Sequence, residues 1–495
     1  MNPSRRFLLL LAAASALISP ALLAQAPAGD APAPASELTL EECIARALRR
    51  NFDLEIQRYG PQIAKDSIEI ARDGFVPVLS VTTSRSETKD AATTLSPGVA
   101  SASNSTRLGV TQQFYSGTTV SVSSQLDRSR IDPAVTALNP AYDADLTVSV
   151  RQQLLKGFGT DANKAAVNRA RIGFDKANLD YKVVALNIIQ STENAYYNVV
   201  FAREQFEVRK FSLALAERLF DEAKTRRDTG VATDLDVLQA EVGVANARRG
   251  VLLAQQSVKD TEQQLLALIG QFELETQLGA ARFKELDGSV PLFASSYNMA
   301  KQTQPDYLSA QAGVEQAKLD VTAAKSNSKP SLSVGGAVGL NGHRGSSSDA
   351  INDAFDNTNH SWQVDLSFTY PLGQVGDKAR LRQSLAVLSQ SQTRLRQIEQ
   401  NIELEVRSAV RAVETNLESV KISAQARELS EKQYELEKAK FDAGLSTSYR
   451  VLQVQNDLEN ARVAELQSKV SLRTSLAALH RLEGSSFQRY GVNLP

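Results

Sequence analysis

The chain has 495 residues, with 55 Lys+Arg against 56 Asp+Glu and a formal charge of −1; this balance excludes the basic excess of a nucleic-acid binder. With 42% apolar and 22% charged residues it is a folding chain, too apolar to be disordered. One Cys, three His and two Met leave no material for a disulfide framework, a structural zinc site or a thiol nucleophile, and Cys43 reads as a small buried hydrophobe.

In chain order, Arg5 and Arg6 precede an apolar run from Phe7 to Leu23, and Ala24-Gln25-Ala26 offers a small-x-small cleavage site, so residues 1–26 are expected to be a signal peptide. A Pro/Ala-rich spacer, 27–37, follows. No Cys lies close behind the apolar run, which argues against a lipid anchor, and no later segment holds eighteen consecutive apolar residues. A mature chain of this kind can cross a membrane only as strands.

A helix is expected over Thr39 to Arg72, then strands between about 75 and 155, including Arg107 to Tyr115 and Thr119 to Leu126, with a long polar loop from Ser84 to Thr106. Ala165 to Asp228 reads as one helix of about 64 residues, roughly 96 Å long at 1.5 Å per residue. Asp228-Thr229-Gly230 ends it, and Thr233 caps a second helix running to Ile269. After a connecting segment, 271–295, the same elements return: a helix Ser296 to Ser326, strands near 332–340 and 362–370 around a polar loop Asn341 to Asn359, a long helix Ala379 to Asp442, the turn Asp442-Ala443-Gly444, and a helix Thr447 to Glu483 before a tail, 485–495. The second rod shows Leu381, Leu385, Leu388, Leu395, Ile398, Ile402, Val406, Ala409, Val413, Leu417 and Val420 at steps of three, four or seven, with no Pro or Gly.

The recurrence is a duplication. A constant offset of 253 lays Lys65, Pro77, Ser80 and Val81 on Lys318, Pro330, Ser333 and Val334. An offset of 214 lays Phe220 to Gly270 on Tyr434 to Gly484 with 15 identities in 51 positions, among them Gly230/Gly444, Thr233/Thr447 and Val237-Leu238-Gln239/Val451-Leu452-Gln453. The offsets differ by 253 − 214 = 39, so the first copy, 38–270, carries an insertion of that size relative to the second, 296–484. The strand segments alternate apolar and polar residues, as in Trp362, Val364, Leu366 and Phe368 against Gln363, Asp365 and Ser367. A soluble sandwich shares this dyad; segments of about ten residues with Phe75, Phe114, Tyr115, Trp362 and Tyr370 near their ends fit a membrane barrel better. Two or three strand pairs cannot close in lipid, so several chains must join. The fold expected is therefore an α+β membrane protein of long antiparallel helical hairpins and barrel strands.

Leu38-Thr39-Leu40-Glu41-Glu42-Cys43-Ile44-Ala45-Arg46-Ala47-Leu48 with Asn51, Phe75-Val76-Pro77-Val78-Leu79, Gln153-Leu154-Leu155-Lys156-Gly157-Phe158-Gly159, and Asp228-Thr229-Gly230 followed by Asp236-Val237-Leu238-Gln239-Ala240, all within a duplicated chain, resemble the TolC-like outer-membrane efflux protein family. The resemblance implies a homotrimer, a β-barrel in outer-membrane lipid, a helical tube through the periplasm, and docking onto a periplasmic adaptor and an inner-membrane pump. It places the docking tips at Gly230, Val231, Gly444 and Leu445. Members often carry Asp residues at the periplasmic constriction; here Arg450 and Gln453 stand at the matching places of the second copy, while Asp236 aligns with Arg450. A gate pairing Asp236 with Arg450 across neighbouring hairpins is the expectation, against the plain alternative of two solvated charges. Arg151, on a polar strand face, is expected either to line the lumen and favour anions or to bond loop carbonyls at the rim. A periplasmic coiled-coil scaffold or adaptor without a barrel is the competing function. No Ser/His/Asp set or phosphate loop suggests an enzyme, and no cofactor or metal site is expected.

Overall fold

The computed structural model describes residues 38–91, 98–132, 137–271, 278–283, 291–356 and 359–492. The expected signal peptide and spacer, and most of the connecting segment, lie outside the described residues.

Helices first. The opening helical segment is two helices, α1 (Leu40–Arg50) and α2 (Phe52–Asp73), rather than the single one expected. Asn51 is the reason: it takes an extended conformation, its amide closes α1 on Ala47, and its side chain accepts from the Asp53 amide to open α2. In the second copy the segment likewise splits, into α5 (Phe293–Thr303) and α6 (Pro305–Asn327), because Pro305 pushes Gln304 out of helical geometry. The rods are α3 (Thr160–Asp228, 69 residues) and α8 (Val375–Asp442, 68 residues). Each turns at a glycine into α4 (Asp234–Leu268) or α9 (Ser448–Glu483), and a short α10 (Ser486–Arg489) is the last helix among the described residues. Thr233 and Thr447 cap α4 and α9 as expected, accepting from the Asp236 and Arg450 amides.

The strands are β1 (Val78–Lys89), β2 (Ala100–Gln113), β3 (Thr118–Asp132), β4 (Ala141–Gln153), β5 (Ser331–Arg344) and β6 (His360–Thr369). They form one antiparallel sheet in sequence order. The polar stretch 84–106 is thus largely strand: Ser86 bonds Ser103 across β1 and β2 at 2.8 Å, and residues polar on both faces hide the alternation there. The stretch 341–359 holds the end of β5 and a helix, α7 (Ser347–Phe355), capped by the Ser346 hydroxyl, instead of an open loop.

Four helices stand side by side at each level. Near the sheet the order is α2, α3, α6, α8; toward the hairpin turns α4 packs on α3, α3 on α9 and α9 on α8. The two larger apolar cores among the described residues sit where the short helices meet end to end. One gathers Cys43, Ile44, Ile189, Val199, Val200, Leu265 and Ile269; the other gathers Ala300, Ile402, Val406, Leu472 and Leu479. Burial pushes the Cys43 thiol up to about 12, so it behaves as the inert hydrophobe expected. Among the described residues no helix is long and apolar enough to cross a membrane.

Candidate channel wall and hairpin tips

The sheet resolves the choice between sandwich and membrane wall. Pairing puts Leu79, Val110, Val122, Val148, Val338 and Trp362 in one row across all six strands. The neighbouring row on the opposite face is Ser80, Gly109, Ser123, Thr147, Gly339 and Ser361. In a sandwich the apolar row would be covered; here Trp362 is 75% and Leu79 64% exposed, and the sheet is a single layer. The cover present on that face comes from α7, whose Ala350 and Ala354 sit against Ala144 at the end far from the rods. A sheet with an exposed apolar face and a small, polar opposite face fits lipid on one side and water on the other.

Arg151 lies on the polar face. Its guanidinium crosses β5 to reach Asp365 on β6, at 2.9 and 3.3 Å, and donates to the Ser333 hydroxyl at 3.3 Å. The crossing depends on Gly335, which sits between Arg151 and Asp365 in register and where a Cβ would lie 2.4 Å from the Asp365 carboxylate. Asp365 therefore offsets the positive charge through which Arg151 would favour anions, and the bonds go to side chains rather than loop carbonyls. The periodicity shows Asp365 as a polar-face residue, but its pairing appears only once three strands are in register.

At the opposite end, Gly230 (φ 76°) and Gly444 (φ 77°) take the left-handed conformation that closes a helix. The Val231 amide bonds the Arg226 carbonyl and the Leu445 amide the Lys440 carbonyl, both at 2.8 Å. The residue after such a glycine commonly packs back on its own helix. Here Val231 and Leu445 are 72% and 79% exposed.

Asp236 closes a capping box: its carboxylate accepts from the Thr233 amide at 3.0 Å and hydroxyl at 2.7 Å. These bonds hold its carboxyl below the usual carboxylate range. Its second oxygen accepts from Ser448 at 3.4 Å, linking the two tips. Arg450 donates to Gln453 at 2.8 Å. Within one protomer the structure thus brings Asp236 to Ser448 and Arg450 to Gln453. The spacing Thr233-x-x-Asp236 spells the box in sequence, a signal that a gate reading passes over.

Arg226 stacks over Phe441 at 4.1 Å and Lys438 pairs with Glu222 at 3.3 Å, holding the tips side by side. Just above, the hairpins part around a cleft of about 520 Å³, floored by the Arg209–Glu459 ion pair and lined by Asn246, Leu452 and Asn456.

The family model for outer membrane efflux proteins matches residues 119–271 and 296–485. The chain belongs to the outer membrane efflux protein family. It is 23% identical to the pyoverdine export outer membrane protein OpmQ of Pseudomonas aeruginosa over 76% of this chain and 74% of that one. It is 22% identical to the toluene efflux pump outer membrane protein TtgC of Pseudomonas putida over 90% and 83% of the two chains. The outer membrane protein VceC of Vibrio cholerae superposes with a TM-score of 0.66 at 17% identity, covering 90% of this chain and 96% of that one. This efflux protein is accordingly an outer-membrane channel component with its helices in the periplasm. TolC-like channels are homotrimers that work with a periplasmic adaptor and an inner-membrane pump, and they are transporters rather than enzymes.

Proposed function

We propose that this channel takes small-molecule cargo from an inner-membrane pump through the tips of its helical hairpins and releases it through the sheet, catalysing no reaction of its own. The exposed pair Val231 and Leu445 carries the reading. Apolar side chains left bare at two equivalent glycine turns gain by meeting an apolar groove on a partner, and the adaptor is the partner at that end. The repeats, 38–270 and 296–484, each supply one such tip. The names of OpmQ and TtgC, pyoverdine export and toluene efflux, support cargo of small-molecule size.

The same tips supply the gate. Asp236, held anionic by its box, and Arg450, exposed beside Gln453, face neighbouring hairpins in the assembled ring and latch between protomers. Arg151 lies on the wetted wall, where its pairing with Asp365 leaves no net charge to favour anions. Replacing Val231 and Leu445 by Asp is expected to abolish co-purification of adaptor while leaving the trimer intact; undiminished co-purification overturns the docking role. Replacing Asp236 and Arg450 by Ala is expected to raise single-channel conductance, and unchanged conductance overturns the latch.

A further inference from the structure

The 39-residue insertion deduced from the duplication falls on β2 and β3. Matching the copies lays β1 on β5 and β4 near β6, so each repeat contributes two strands and the inserted hairpin raises the chain from four to six.

Resting on the channel reading above, we propose that this hairpin widens the pore: three chains close an 18-stranded barrel whose bore matches the helical tube, and cargo meets no narrowing at the outer membrane. The hairpin is part of the wall. Its Val110 and Val122 continue the apolar row and its Gly109 and Ser123 the polar one. Its inner turn is stapled to the foot of α3 and to the end of β4: Asn163 donates to the Tyr115 carbonyl at 3.0 Å, the Gly159 amide to the Ser116 carbonyl at 3.2 Å, and the Gln153 amide of β4 to the Gly117 carbonyl at 3.1 Å. An insertion folded as an outer cap would need neither the phase nor the staples.

Closure follows from parity. With six strands per chain, β1 and β6 are the free edges and run in opposite directions, so β6 of one protomer meets β1 of the next as an antiparallel pair.

Girth decides between widths. Six strands about 4.8 Å apart and tilted about 40° span roughly 38 Å of wall, whereas four span only about 25 Å. The four helices beneath, about 9.5 Å apart, also span roughly 38 Å. Three chains then give a barrel about 36 Å across between backbones, against about 24 Å for a 12-stranded one. The inserted strands face the lumen mainly with small residues, Ser101, Ser103, Ser105 and Gly109 on β2 and Ser121 and Ser123 on β3, and the long Arg107 on that face is tied to Gln125 on the neighbouring strand at 2.7 Å. The α7 helix lies on the outer face and does not fill the lumen.

Electron cryomicroscopy of the intact trimer in lipid counts the strands directly. Eighteen are expected, with β6 of each protomer bonded to β1 of the next. Twelve, with β2 and β3 outside the wall, overturn the proposal and leave the channel reading standing. In planar bilayers, a neutral polyethylene glycol of radius about 12 Å added from the strand side is expected to enter the unaltered pore and lower its conductance, and to be excluded by a variant lacking Ala100–Asp132. Exclusion from the unaltered pore also overturns the proposal. Absence of any heat-resistant trimer brings down the channel reading, and this proposal with it.

Discussion

The two copies of the repeat share what backbones need and differ in what side chains face. Both keep the glycine with positive φ at the tip, the threonine cap and a leucine sealing the core, Leu265 in one and Leu479 in the other, each fully buried. They diverge at the third residue of the outgoing helix, where Asp236 completes a capping box and Arg450 cannot. They diverge again in the sheet, where one copy supplies four strands and the other two with a helix between. Duplication has preserved the geometry of turns and packing, while the positions that meet solvent, lipid or a neighbour have been free to specialise.

The sharpest way to break this comparison is at a position that has no counterpart in the second copy. Gly117 has φ 83°, and a Cβ there would lie 2.2 Å from the Gly157 carbonyl oxygen. Gly117→Val is expected to cost more than about 3 kcal/mol and to abolish the heat-resistant trimer, read by gel mobility before and after boiling. Next in size, Leu265→Ala and Leu479→Ala should each lower stability by about 2–5 kcal/mol in thermal unfolding. Costs that differ widely would show that the cores are no longer equivalent.

A pH test probes the carboxyl terminus. The Tyr490 hydroxyl donates to buried Glu193, and burial raises that carboxyl to about 7 from the ordinary 4.5. Burial also lowers His480, beside Arg489, to about 4 from the ordinary 6.5. Stability carried by protonated Glu193 is complete below about 4.5 and lost as pH rises to about 7; that carried by neutral His480 is complete above about 6.5 and lost as pH falls to about 4. The slopes oppose each other in the natural chain. Glu193→Gln removes the first, so its melting temperature should fall steadily on acidification from pH 6.5 to 4; a melting temperature flat over that range would contradict the assignment.

The smallest effect lies at the tips. Asp236→Ala should cost about 1 kcal/mol, whereas Arg450→Asp should build the missing box and gain up to about 1 kcal/mol. Thermal unfolding of both variants reads the pair, and equal losses would show that the box is not what separates the two tips.

Much of this is legible in the amino-acid sequence alone. The rods follow from apolar residues at steps of three, four and seven, and the tips from glycine and threonine at fixed offsets. Three features are not. Asn51 caps a helix on either side of itself, a double role that helical periodicity over Thr39 to Arg72 does not show. The outer halves of β1 and β2 carry serine, threonine and asparagine on both faces, so no dyad marks them, and their pairing comes from cross-strand bonds such as Ser86 to Ser103. The Arg151–Asp365 bridge is a property of register, since it joins residues 214 apart through the gap at Gly335.

The inserted hairpin has an evolutionary corollary. A wall whose edges must meet antiparallel can gain strands only in twos, and threefold repetition multiplies each gain to six. Bore in such a lineage cannot drift; it jumps, by about 12 Å for each hairpin acquired. Ancestral chains would then sort into discrete calibres with nothing in between.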